Sequence, residues 1–205
     1  MGESAETKQV EFPRRWPREA PWSRKRRTLI KELISFALTI ALTVFCATAL
    51  KLFVIDIYEV PTGSMSPTIS IGDRIIAEKI SIRFSKIKQF DIVTFTDPVG
   101  NNRTLVKRVI AVAGQTVDLR GGYVYVDNVM LDEPYTLGRP SDPLMTHRDV
   151  EVSYPYTVPD GHVWVMGDNR TDSADSRYFG SVDVKLVTGR GVIVVWPPEH
   201  FSGFK

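Results

Sequence analysis

Three regimes of polarity follow one another along the chain. Residues 1–28 are polar, with Pro13, Pro17 and Pro21 and no apolar period, which predicts a disordered tail. Residues 33–50, "LISFALTIALTVFCATAL", then run without a single charge. At ~1.5 Å per residue this run spans ~27 Å as a helix, and Lys51 can snorkel so that "LFVI" prolongs it. One transmembrane anchor over residues 29–55 is expected. From residue 56 the pattern shortens to β-branched and aromatic runs bounded by Gly, Pro, Asn and Asp: "IDIYEV", "DRIIAEKI", "DIVTFT", "TLVKRVIAVA", "TVDLR", "YVYVD", "HVWVMGD" and "GVIVVW". No second helical period follows. The expectation is an all-β domain, barrel or sandwich, over residues 56–205 behind one N-terminal helix. Residues 134–161 hold five prolines and no clear period, marking an excursion from that core as a lid, a substrate-shaping loop or decoration.

Charge orients this plan. The net +2 conceals an asymmetry: residues 1–31 carry nine Lys/Arg against four Asp/Glu, leaving seventeen against twenty for the rest. "RKRR" at residues 24–27 beside an apolar run marks the cytoplasmic side of a membrane and puts the β-domain outside. The slightly acidic external domain offers no basic face for nucleic acid. A cleaved secretory signal is the competing reading, and Ala47-Thr48-Ala49 supplies a small-x-small pattern. The apolar run exceeds the usual signal core of ~7–15 residues, however, and the charged region before it is about twice the usual length, which favours an uncleaved anchor. Cys46, the only cysteine, lies inside the helix, so the external domain has no disulfide.

The chemistry is narrowed by what is missing. His147, His162 and His200 are isolated from one another and from metal-ligand spacings, so no zinc site is suggested. Around Ser64 the nucleophile-elbow positions hold Thr62 and Ser66 where glycines are needed, and a Ser-x-x-Lys at Ser85 and Lys88 lacks its Lys-Thr-Gly companion. An EF-hand loop counted from Asp168 fails at Arg170, Ser173 and Phe179. A serine without histidine needs another base, and lysine is the usual alternative. An ordinary lysine is neutral at pH 7 in only about one molecule in a few thousand, so it must be desolvated, at about 4 kcal/mol. In "TLVKRVIAVA", strand alternation puts Lys107 on one face with Leu105, Val109, Ala111 and Ala113. Alternation leaves two readings open, a catalytic lysine and a lysine snorkelling at a sheet edge.

"VPTGSMSPTI" (60–69), "DIVTF" (91–95), "KRV" (107–109) and "GDNRTDSADSRYFG" (167–180), in that order behind an anchor, resemble the bacterial type I signal peptidases. The resemblance covers roughly residues 30–197, and the Ser-Met-x-Pro-Thr and Gly-Asp-Asn-Arg blocks together are highly specific. It implies a membrane-anchored serine endopeptidase that removes signal peptides from exported preproteins, cleaving after small residues at −1 and −3, with no metal or organic cofactor. By the same resemblance Ser64 is the nucleophile and Lys107 the general base. The Ser64 N–H and the Thr62 hydroxyl hold the oxyanion, and Ser173 orients the lysine ammonium. Asp175 and Arg177 form a structural ion pair, while Met65 and Pro67 shape the serine loop. The implied partners are preproteins and the lipid bilayer. Ser64 lies fourteen residues beyond Leu50, at most ~46 Å of extended chain, so enzyme and substrate meet at the membrane surface.

Two departures stand out: Phe90, where members commonly have Gly, and "AVAGQ" (111–115), where they commonly read Gly-x-Pro-Gly-Asp. They put local turn geometry in question without removing a catalytic group. The C-terminal "VVWPPEHFSGF" reads either as an interfacial aromatic patch or as a last strand with a frayed tail. Three rivals carry distinguishing marks. A self-cleaving repressor of the related Ser/Lys fold needs a DNA-binding module where the anchor stands. A catalytically dead relative would lack Ser64 or Lys107. A peptidase dedicated to one substrate reads identically in sequence.

Overall fold

The computed structural model describes residues 21–100 and 102–204 and divides into two compact units, residues 1–48 and 49–205. Helix α1 (Pro21–Phe53) has a mean hydropathy of 2.3 in its apolar window, none of which is buried by protein. It starts earlier than expected: residues 21–28, read from polarity as disordered, are helical. Proline's missing N–H costs nothing at a first helical position, and an existing helix extends without a new nucleation step. The rest of the expected tail lies outside the described residues.

Beyond the anchor the chain is β, as the runs of β-branched residues require. In order come β1 (Ile55–Glu59), β2 (Arg74–Glu78), helix α2 (Ser81–Phe84), β3 (Ile92–Thr96), β4 (Thr104–Val112), β5 (Thr116–Arg120), β6 (Tyr123–Val126) and β7 (Val129–Met130). Then follow β8 (Tyr156–Thr157), β9 (His162–Met166), helix α3 (Ser176–Phe179), β10 (Val182–Asp183), β11 (Val187–Trp196) and β12 (Ser202–Gly203). They form two antiparallel sheets. The larger runs β1-β2-β11-β3-β4-β9-β10, with β12 on β11, and the smaller runs β7-β6-β5-β8. One apolar cluster joins them: Ile110, Ala111, Trp164 and Met166 from the large sheet meet Val117, Val124 and Val126 from the small one.

Strand β4 carries the lysine, and its register corrects simple alternation. It pairs with β9 through Arg108–Met166 and Val109–Val165, then skips to Ala111–Trp164 across a bulge. The extra residue changes sides, as a bulge must. Leu105, Val109 and Val112 therefore pack in one cluster, while Ala111 turns to the other with Ile110. Because β9 begins pairing only at Arg108, residues 104–107 bond to β3 alone and leave their second edge open.

Both departures have a structural account. Phe90 adopts φ 70°, the left-handed region that costs a side-chain-bearing residue about 1–2 kcal/mol, which is why glycine suits this position. Here the aromatic ring meets Tyr135 edge-on at 6.3 Å, and the Phe90 carbonyl accepts from Arg108. In "AVAGQ" the turn persists, with Gly114 at φ 85° and its N–H donating to the Val158 carbonyl. The excursion proves to be a brace. Ser141 and the Asp142 carbonyl accept from Arg170 and Arg177, and His147 N–H donates to the Tyr178 carbonyl.

Candidate active site

Residues 63–65 form a single 3₁₀ turn at the head of the loop between β1 and β2. Met65, 1% exposed, anchors this turn in the core with Val60, Ile69 and Ile75, leaving Ser64 on the side away from that core. Pro67 is exposed, outside that core. The turn is fastened from the loop that follows β9. Asn169 N–H donates to the Ser64 carbonyl at 3.1 Å, and Asn169 Nδ2 donates to the Gly63 carbonyl at 3.0 Å.

Lys107 extends from the open-edged part of β4 to the serine. Its Nζ lies 2.6 Å from Ser64 Oγ and 3.0 Å from the Val106 carbonyl oxygen, and the residue is only 3% exposed. The lysine does not snorkel. Burial is the main cause of a pKa lowered to about 8, helped by the Arg103 and Arg177 charges and opposed by the Asp175 and Asp168 carboxylates. Thr62 Oγ1 stands 3.4 Å from Ser64 Oγ, and the Ser64 N–H falls in the first turn of its helix, where no intrahelical acceptor exists. Both donors border a groove of about 150 Å³ that also contains Glu59, Arg103, Val106 and Lys107.

Ser173 is placed differently from expectation. Its Oγ is buried without a hydrogen-bond partner among the described residues and packs against Gly167 instead of bonding to Lys107. Asp175 and Arg177 do pair, through two bonds of 2.9 Å, with both side chains buried. Asp175 also accepts from the Gly167 N–H at 3.0 Å, and Arg177 donates to the Arg170 carbonyl at 2.8 Å. Sequence reasoning missed two further ion pairs. Arg108 grips Asp168 at 2.9 and 2.7 Å, and Asp168 accepts from Thr68 in the serine loop. Arg170 grips Glu133 at 2.8 and 2.6 Å while donating to Ser141 and the Gly167 carbonyl. Tyr135 lies over Arg108, 4.0 Å from ring centre to guanidinium carbon. Position could have flagged the burial of these arginines, though not their partners: Arg108 follows Lys107 on β4, and Arg170 belongs to the "GDNR" block.

Gly167 is the tightest point of this assembly. A Cβ there would run into the Ser64 carbonyl oxygen and Ser173 Oγ. If Ser64 is the reacting group, Gly167→Ala is expected to lower kcat/KM by about 10²-fold, the penalty of displacing such a group by roughly an ångström. Far-ultraviolet circular dichroism and kinetics on the same sample check this, and kinetics within twofold of wild type would refute it.

A hydroxyl resting on a buried, readily deprotonated amine beside an open groove is the arrangement of a serine hydrolase that works without histidine. The chain belongs to the signal peptidase family, peptidase S26, whose model matches residues 31–196, and is a membrane-anchored serine endopeptidase of signal peptidase I type. A probable signal peptidase I-1 of Synechocystis is 36% identical over 91% of this chain and 90% of its own length. The signal peptidase I of Mycobacterium tuberculosis is 32% identical over 90% of this chain and 78% of its own. Thylakoidal processing peptidase 1 of Arabidopsis thaliana is 34% identical over 70% of this chain, which spans 43% of that relative.

Proposed function

We propose that Ser64 and Lys107 are the nucleophile and general base with which this chain cuts signal peptides from exported preproteins. The 2.6 Å contact between the Ser64 hydroxyl and a lysine amine held at 3% exposure carries this reading. Neutral Lys107 takes the Ser64 proton as Oγ attacks the scissile carbonyl carbon. The resulting oxyanion finds the Ser64 N–H and the Thr62 hydroxyl as donors. The Lys107 ammonium then protonates the departing amine, releasing the mature chain and leaving the signal peptide as an ester on Ser64. Lys107, neutral again, deprotonates a water that attacks this ester, and the proton returns to Ser64.

The groove supports a preference for small side chains at −1 and −3. Its volume of about 150 Å³ is walled by Tyr58, Met65, Leu105 and Val106, which suits alanine better than an aromatic ring. The free edge of residues 104–107 supports an extended substrate, which can satisfy those backbone groups as an added strand. The five Lys/Arg of residues 24–31, without an acid among them and directly ahead of the apolar run of α1, support a cytoplasmic N-terminus and an extracytoplasmic β-domain.

The test uses full-length protein in detergent and a preprotein with alanine at −1 and −3, with N-terminal sequencing of the product. Cleavage after the −1 alanine by wild type, and none by Ser64→Ala, is the expected outcome. Cleavage by Ser64→Ala at the wild-type rate would remove Ser64 from its role.

A further inference from the structure

The segment that follows β2, "KISIRFSKIK" at residues 79–88, interleaves four basic residues with apolar ones and contains no acid. It begins where the membrane helix ends. Lys79 N–H donates to the Val54 carbonyl at 2.8 Å, and Lys79 Nζ reaches the Lys51 and Leu52 carbonyls at 3.2 and 3.5 Å. Residue 79 is therefore held at the level where the chain leaves the hydrocarbon.

Two apolar side chains on this segment face solvent: Phe84, 85% exposed, and Ile80, 45% exposed. Beside them lies a groove of about 720 Å³, floored by Ile82, Ile87, Val112 and Val187 and containing no Asp or Glu. Of its cations, Lys79 is paired with Asp56 at 2.7 Å. Arg83, Lys86 and Lys185 are exposed and have no acidic partner among the described residues. Residues 32–205 as a whole carry seventeen basic against twenty acidic side chains, so unpaired positive charge on this one face is a local concentration.

An exposed aromatic among unpaired cations, tied to the end of a membrane helix, matches the chemistry of a bilayer surface. The ring reaches past the headgroups, and the cations meet lipid phosphates and anionic headgroups. We infer that the face formed by residues 79–88 and Lys185 docks the β-domain onto anionic phospholipid. Docking there restrains the domain through a second point besides α1. An acidic protein would satisfy the cations but leaves the position beside the helix end unused.

The inference rests on α1 being the membrane anchor, and the experiment separates the two. Full-length protein with Cys46→Ser is spin-labelled at Leu42→Cys, Phe84→Cys or Tyr123→Cys, Tyr123 being an exposed position on the small sheet. It is reconstituted in bilayers of phosphatidylcholine alone or mixed with phosphatidylglycerol, and collision with oxygen and with a water-soluble nickel chelate is measured. The expected result is lipid-like exposure at 42 in both bilayers and water-like exposure at 123 in both. At 84 the oxygen-to-nickel ratio should rise about threefold with phosphatidylglycerol, and Arg83→Glu/Lys86→Glu/Lys185→Glu should abolish that rise. A label at 84 that stays as water-exposed as the one at 123, while 42 is in lipid, overturns the docking face and leaves the anchor standing. A label at 84 equally buried with and without phosphatidylglycerol overturns the anionic-lipid assignment. Water-like exposure at 42 overturns the anchor itself.

Discussion

Lys107→Met is expected to cut kcat/KM on a preprotein by about 10⁴-fold while making the folded protein more stable, since it removes the proposed general base and a buried amine at once. With its pKa lowered to about 8, the wild-type lysine is neutral in about one molecule in ten at pH 7, against about one in a few thousand for an ordinary lysine. The wild-type kcat/KM should thus rise about tenfold per pH unit up to about 8 and then level off.

The stability effect has a definite sign. Between about pH 8 and the ordinary lysine value the unfolded chain holds the proton and the folded chain does not, so wild-type stability rises with pH in that window. Below about 8 the amine is charged in both states and its full burial penalty, roughly 3–4 kcal/mol, is present. Lys107→Met lacks this penalty. Its stability advantage should be greatest below pH 8 and shrink as pH climbs, as thermal melts across pH would show. Substantial turnover by the Met variant at neutral pH would sink the assignment of the base, whatever the melts show.

How far the sequence revealed this molecule depends on where each signal resides. The eight longer strands were legible because each carries its own run of β-branched and aromatic residues bounded by turn formers, and that signal is local. Strands β7, β8, β10 and β12 have two residues each and exist because a neighbour offers an edge, so no pattern of their own announces them. Alternation along β4 was reliable only as far as the bulge; whether Lys107 met a serine depended on a loop forty-three residues earlier. Ser64 and Lys107 came through the motifs. The pairings of Arg108 and Arg170 did not, because a charged residue defaults to the surface. Arg170 meets Glu133 thirty-seven positions away, and Arg108 meets Asp168 sixty positions away, separations across which one sequence gives no pairing signal.

With Arg177, those arginines tie down residues 167–180, a loop of fourteen residues with only one turn of helix whose Asn169 fastens the serine turn, and the doubly bonded, fully buried Asp175–Arg177 pair gives the sharpest test. Arg177→Met is expected to destabilise the protein by about 3–5 kcal/mol, because it leaves the Asp175 carboxylate buried without its counter-ion. Adding Asp175→Asn removes the stranded charge, and an amide oxygen can still accept from the Gly167 N–H that Asp175 now serves. The double variant should therefore lose less than the sum of the two single losses, by about 2 kcal/mol or more, in denaturant melts. Electrostatics supplies a readout that unfolding alone would not move. Arg177 holds the Lys107 pKa down and Asp175 holds it up. In the folded population Arg177→Met should shift the rising limb of the pH–rate profile to higher pH, and Asp175→Asn should shift it to lower pH. If both limbs stay at the wild-type position, the pair braces the loop without tuning the lysine; if the double variant loses the full sum, the two side chains do not act as a pair.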